Sequence, residues 1–247
     1  MCTLSWLPLP GGYAVAMNRD ERPTRAPALP PAVARPSGIP ALIPIDGEAG
    51  GSWISVNSLG HTLALLNRFE DSPLDPGGAF VSRGLLLTEL AGHPGPQMVD
   101  RALAGMPLVS YRPFTLASIS PASDPWLFEW NGRALERARV NEPGMLRTSS
   151  GRDQAGAERV RGALFREAKA SPRGLTKEAL FGLHRSHRPE RGPLSICMHR
   201  EEANTVSCSL ITVSTSDVLF SYVNGPPGEV SDFSSYSLPR LHPESVP

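Results

Sequence analysis

Lysine is nearly missing from this chain: Lys169 and Lys177 are its only examples, and arginine supplies the rest of the 24 basic residues. That bias reads as the mark of a GC-rich genome more than of a partner, although a guanidinium grips carboxylate or phosphate with a two-pronged geometry that an ammonium lacks. Excess charge is missing too, since 24 acids balance the bases. Nucleic acid and anionic membrane surfaces, which require clustered positive charge, are therefore not expected partners. Cysteine is scarce. Cys2, Cys197 and Cys208 cannot all pair, and with His184, His187 and His199 they match no zinc-ligand spacing, so neither a disulfide scaffold nor a metal site is expected. The start lacks a basic n-region and a long apolar run, so no export signal or membrane span is expected, and the cytoplasm is the expected location.

What remains is a chain of 247 residues, 40% hydrophobic, long enough for one large core. Residues 2–9 and 13–18 read as a hairpin around Pro10-Gly11-Gly12. Residues 23–44 are punctuated by proline, which predicts an extended surface loop. A second hairpin is expected from residues 53–56 and 62–66. Helices are expected from Ser82 onward, over 97–104, over 153–168 and over 176–183. Further strands are expected at 114–119, 126–130, 134–139, 194–198, 205–213 and 218–223. Residues 1–227 read as one domain and 228–247 as a Ser/Pro-rich, loosely held tail. The order of strands and helices fits two sheets packed face to face with helices outside, with a single sheet and helices on one face left open as the alternative.

The chemistry centres on Cys2. A small residue after Met1 permits removal of that Met, which would place a thiol and an α-amino group on one residue. With reference pKa values of roughly 8.5 and 8, the amine can take the thiol proton and return it to a leaving group. The strand expected to pair with Cys2 ends in Asn18-Arg19-Asp20-Glu21. A carboxylate there would orient an ammonium, and an arginine would hold a thiolate or a substrate carboxylate. Asn67, at the end of an apolar strand, offers an amide to an oxyanion. Each has a plainer reading: chance at Cys2, a capping cluster at the Asn18–Glu21 strand end, a turn residue at Asn67 and core packing for Trp53.

Met1-Cys2-Thr3, Ala16-Met17-Asn18-Arg19-Asp20-Glu21, Gly50-Gly51-Ser52-Trp53-Ile54, Ala64-Leu65-Leu66-Asn67 and Cys197-Met198-His199-Arg200 together resemble the NRDE family. The resemblance implies an α+β, four-layer αββα N-terminal-nucleophile hydrolase-like sandwich of two mainly antiparallel sheets. It further implies Cys2, Asp20 and Asn67 as catalytic residues and Arg19, Asn18, Ser149, Ser150, His199 and Arg200 as substrate-binding ones. Met17 stands where the related hydrolases carry an arginine, and Ser150 where they carry a second catalytic asparagine.

Two functions follow. One is a cysteine hydrolase or acyltransferase acting on a small-molecule linear amide or thioester, with no cofactor. The other is a non-catalytic protein that binds or traffics haem or an acyl lipid in the same pocket, with Cys2 or a histidine as a haem ligand.

Overall fold

The computed structural model describes residues 2–69, 80–230 and 232–241. Along the described chain run β1 (Cys2–Leu9), β2 (Gly12–Glu21), β3 (Leu29–Ala34), β4 (Ala41–Ile45), β5 (Ile54–Asn57), β6 (Thr62–Asn67), α1 (Arg83–Leu90), α2 (Pro96–Gly105), β7 (Phe114–Ser120), β8 (Ser123–Trp130), β9 (Leu135–Arg139) and β10 (Met145–Ser149). They are followed by α3 (Gln154–Lys169), α4 (Lys177–His184), β11 (Asn204–Val213), β12 (Asp217–Asn224) and β13 (Ser234–Pro239). Every ladder between these strands is antiparallel.

The strands form a six-stranded sheet, β10-β1-β2-β11-β12-β13, and a seven-stranded sheet, β3 to β9 in chain order. Leu4, Trp6, Val15 and Met17 of the first meet Ile54, Val56, Ala64 and Leu66 of the second in a shared core. The outer face of the first sheet, at Leu7, Ala14 and Ala16, packs on Phe165 of α3 and Leu180 of α4. The outer face of the second, at Leu63, Leu65 and Leu116, packs on Leu86 and Leu90 of α1 and on Val99 and Leu103 of α2. The result is four layers, αββα, which resolves the open choice between one sheet and two. Because both faces of the central strands are covered, β1 and β2 are buried almost continuously and lose the usual polar alternation.

The β1–β2 hairpin turns at Pro10-Gly11, with Gly11 at φ 75°, a conformation glycine adopts without strain. Asp153 caps α3 by accepting from the Gly156 N–H at 2.7 Å, and Thr176 caps α4 by accepting from Ala179 at 3.1 Å.

Three expectations need correcting. The proline-rich stretch carries β3 and β4, and β3, with Pro30 and Pro31, lies at a sheet edge, where a missing backbone donor costs little. The segment taken for a loose tail contributes β13, which pairs with β12 from Tyr222↔Ser234 to Asp217↔Pro239. Residues 194–198 form no strand. There the Ser195 hydroxyl donates to the Gly192 and Cys197 carbonyls, and Cys197 N–H donates to Ser186, so local bonds replace a ladder.

Candidate active site

Cys2 opens β1 between two neighbours, aligned with Arg19 of β2 on one side and Ser149 of β10 on the other. Paired residues in an antiparallel ladder share a face. Cys2, Arg19 and Met17 therefore all point between the sheets, while Asn18, out of phase by one, points to the helices. At this end the two sheets part around a cavity of about 340 Å³ lined by Cys2, Arg19, Asp20, Trp53, Asn67 and Arg83 among others. Residues 65 apart in sequence, Cys2 and Asn67, thus reach one cleft.

The backbone nitrogen of Cys2 donates to Ser149 Oγ at 3.1 Å. Burial pushes the Cys2 thiol up, Asp20 adds to that rise, and a backbone hydrogen bond from Asp20 and the charge of Arg19 oppose it. Asp20 belongs by alternation to the helix side, yet at the end of β2, where β11 slips between Thr205 and Ser207, it also borders the cleft. Its carboxylate accepts from Thr205 Oγ1 at 2.7 Å. Burial raises its pKa, and Arg161 and Arg200 among other groups pull it back down.

Arg19 is held on three sides: it pairs with Asp46, lies with its guanidinium carbon 4.5 Å from the Trp53 ring centre, and faces Cys2. Asp46 is itself clamped by Arg25, whose Nε and Nη2 donate to its two oxygens at 2.9 and 2.8 Å. Burial alone would raise Asp46, but Arg25, the Ala49 N–H and Arg19 outweigh it and leave its pKa at about 2. Asp46 is therefore a fixed negative charge that anchors Arg19.

The opposite wall comes from the start of α1. Gly51 and Gly84 let two backbones touch there: a Cβ on Gly51 would lie 2.3 Å from the Gly84 carbonyl carbon, and Ser52 N–H donates to Gly84 O at 3.0 Å. This contact carries Arg83 into the cleft. Burial, then Arg112, lowers the Arg83 pKa to about 10, while the charge of Cys2 opposes that fall. Among the described residues neither Arg83 nor Arg112 has a carboxylate within ion-pair distance; Arg83 donates to Pro113 O at 2.8 Å and Arg112 lies over Phe80.

The remaining candidates divide. Ser149 is at the Cys2 nitrogen. Ser150 serves the start of α3, donating its N–H to Gln154 Oε1 at 2.7 Å. Asn18 is a correction: its amide bridges the His184 and Ile196 carbonyls at 2.9 and 3.0 Å, so it ties α4 to the sheet and does not face the cleft. His199 also turns elsewhere, toward His187 and Cys197, and Arg200 lies behind Asp20 as one of its positive neighbours. Arg161 was not anticipated. It is buried to 1% exposure under β1, donating to Thr3 and Thr148 hydroxyls at 2.7 and 2.6 Å. Its signal was present: residues 157, 161, 164, 165 and 168 make one helical stripe, and only 161 in it is charged.

No family model matches the sequence and no curated protein matches it. Solved structures do match. A cysteine-to-alanine mutant of the conjugated bile acid hydrolase of Clostridium perfringens aligns at TM-score 0.56 and 12% identity over 96% of this chain and 92% of that one. The Caenorhabditis elegans orthologue of N-acylethanolamine-hydrolyzing acid amidase gives 0.63 at 12% over 97% and 100%. Penicillin V acylase of Agrobacterium tumefaciens gives 0.52 at 10% over 99% and 89%. This chain has the N-terminal-nucleophile hydrolase fold. Among the described residues no helix is long and apolar enough to cross a membrane.

Proposed function

We propose that the chain is an N-terminal cysteine hydrolase or acyltransferase of the NRDE family, cleaving a small linear amide or thioester at Cys2. The observation that carries this is the meeting of Cys2, Asp20 and Asn67 in one cleft, with Ser149 gripping the Cys2 nitrogen. Removal of Met1 frees the amine; Met1 itself lies outside the described residues. The amine accepts the thiol proton, and the thiolate forms a bond to the substrate carbonyl carbon. Negative charge then develops on the carbonyl oxygen, where the Asn67 amide can donate. Collapse breaks the C–N or C–S bond, the leaving group takes the proton from the ammonium, and water or another acceptor later removes the acyl group from sulfur. Asp20, whose charge reaches the Cys2 sulfur and which Arg161 and Arg200 hold toward its ionised form, would orient the ammonium.

Met17 occupies the core face two residues before Arg19, so Arg19 is the arginine of this strand that faces the nucleophile. Arg83 and Arg112, without carboxylate partners among the described residues, favour a substrate with an anionic group on the side of α1.

Intact mass of the purified chain, before and after a thiol-reactive acyl probe, tests the reading. The expected result is loss of Met1 and one acyl group, absent in Cys2→Ala. Protein that keeps Met1 throughout and takes no label at Cys2 would overturn it. A single, permanent acyl group with no turnover would instead support a binding function for an acyl lipid in this cleft.

A further inference from the structure

Behind the same end of the six-stranded sheet, outside the cleft, a second polar cluster is built around Cys197. Backbone bonds place its members: Cys197 N–H donates to Ser186 O at 3.0 Å, and His199 N–H donates to Gly192 O at 3.1 Å. One donor atom from each of His187, Cys197 and His199 lies within 4.8 Å of the other two. Cys197 Sγ is 4.0 Å from His199 Nε2, and a Glu229 carboxylate oxygen is 3.6 Å from the same nitrogen. The His187 ring meets the Cys197 carbonyl through Nδ1 at 3.3 Å. A carbonyl only accepts, so Nδ1 carries the proton and Nε2 keeps its lone pair. Glycine at 228 leaves room there, since a Cβ would stand 2.5 Å from that Nε2.

We propose that His187, Cys197 and His199 bind a divalent transition-metal ion of borderline softness, zinc foremost, with Glu229 completing a four-coordinate site. Zinc bonds of about 2.0–2.1 Å to nitrogen and oxygen and about 2.3 Å to sulfur put neighbouring tetrahedral donors roughly 3.3–3.7 Å apart. Two separations, 3.6 Å and 4.0 Å, are already within about half an ångström of that, and the rest of the three-donor set, within 4.8 Å, closes by about an ångström as the ion binds and Glu229 moves in. Two imidazoles and a thiolate exclude magnesium and calcium, which require oxygen donors. As the metal–sulfur bond forms, the thiol proton leaves to solvent, and thiolate and carboxylate together neutralise the ion. His187 enters with its Nδ1 bond to the Cys197 carbonyl in place, the kind of outer contact that orients a metal-binding imidazole.

One group must yield. Arg191 Nη2 lies 3.4 Å from His199 Nδ1, which needs a proton once Nε2 holds metal. Arg191 also pairs with Glu229 at 2.5 Å and its side chain is 60% exposed, so it can withdraw onto the carboxylate alone. The site would clasp three segments that no ladder joins: the end of α4, the approach to β11 and the 226–230 turn. Metal should therefore stabilise the fold and leave the Cys2 cleft unchanged.

The test uses the full chain stripped with a chelator. Zinc is titrated in competition with a chromophoric chelator, and cobalt(II) is added while the absorption spectrum is read. One equivalent should bind, cobalt should show tetrahedral d–d bands with a sulfur-to-metal charge-transfer band, and the melting temperature should rise with free zinc. Cys2→Ala should keep all three signals. Cys197→Ser and His199→Gln should weaken binding by more than about 100-fold, beyond the cost of losing an outer contact. A wild-type cobalt spectrum without the sulfur band overturns the proposal regardless of how the variants fold. So does unchanged affinity in Cys197→Ser, or loss of binding in Cys2→Ala, which would move the ion to the cleft.

Discussion

Cys2 and Cys197 are both buried sulfurs at one end of the same sheet, and Asp20 acts on both. Burial pushes both thiols up, Cys197 to about 11. Their companions differ. Cys2 looks into a cleft with Arg19 and Arg83 near it, groups that favour a thiolate and an anionic substrate. Cys197 looks at two imidazoles and a carboxylate, a donor set suited to a cation, and it does not line the Cys2 cleft. Cys208 is the control: aligned with Asn18 inside the β2–β11 ladder, its thiol is raised by burial with little to oppose it, and it is core. Burial makes a sulfur inert; the charged neighbours decide whether it gains a function.

The contrast breaks most cleanly by exchanging the sulfurs. Cys2→Ala should abolish acylation by a thiol-reactive acyl probe entirely, while Cys197→Ser should retain it, both read by mass spectrometry. Equal loss in the two variants would mean the regions are one site. Asn67→Ala should come next, with the acylation rate down about 10²–10³-fold, the usual cost of one oxyanion donor. Stopped-flow labelling checks it, and an unchanged rate would return Asn67 to the role of a turn residue.

Asp20 acts on both sulfurs and Arg161 acts on Asp20, and the pair sharpens the comparison differently. Arg161 is a leading group holding the Asp20 pKa down against burial. Arg161→Met should therefore let the Asp20 pKa rise further, so the acidic limb of the acylation profile moves to higher pH and the rate at neutral pH falls about tenfold, within the range expected for a positioned proton-transfer partner. Asp20→Ala should lower acylation more than it lowers the melting temperature. A profile that does not move in Arg161→Met would leave Arg161 a structural clamp on Thr3 and Thr148.

How much of this could be read beforehand varies by element. The β1–β2 hairpin was legible because Pro10-Gly11-Gly12 punctuates two apolar runs, and it carried Cys2 and Asp20 with it. The helices were legible from caps and 3.6-residue stripes. Strands β3, β10 and β13 were not. Each is five or six residues long and sits at a sheet edge, where prolines and polar residues survive because one side of the strand is unpaired. Asp46 and Arg25 were invisible because only the fold brings residues of the proline-rich stretch beside Arg19. The metal-type cluster was invisible because its ligands fall at i, i+10 and i+12, outside the spacings of zinc motifs, and the bends at 186–199 close the gap.

The smallest effect expected concerns what joins the two regions. Asn18 bridges them: its amide holds the His184 and Ile196 carbonyls, the latter one residue before Cys197, while its oxygen meets His184 Nδ1 at 3.1 Å. His184 Nε2 meets Ser5 Oγ at 2.8 Å. Burial, then Arg161, lowers the His184 pKa to about 3, so the folded protein keeps this ring neutral where the unfolded chain, near 6.5, protonates it. A depressed folded pKa gives stability that is fully present above 6.5 and is lost as pH falls toward 3, at up to about 1.4 kcal/mol per pH unit for one group. Denaturant melts at pH 7, 6, 5 and 4 should show this slope, shared with His61, whose pKa burial lowers to about 4. His184→Gln should flatten the profile by roughly one proton while leaving acylation at neutral pH within about twofold, because an amide can keep one of the two bonds without titrating. A profile equally steep in His184→Gln would place the acid sensitivity elsewhere and leave the bridge between the two sulfur sites a packing contact alone.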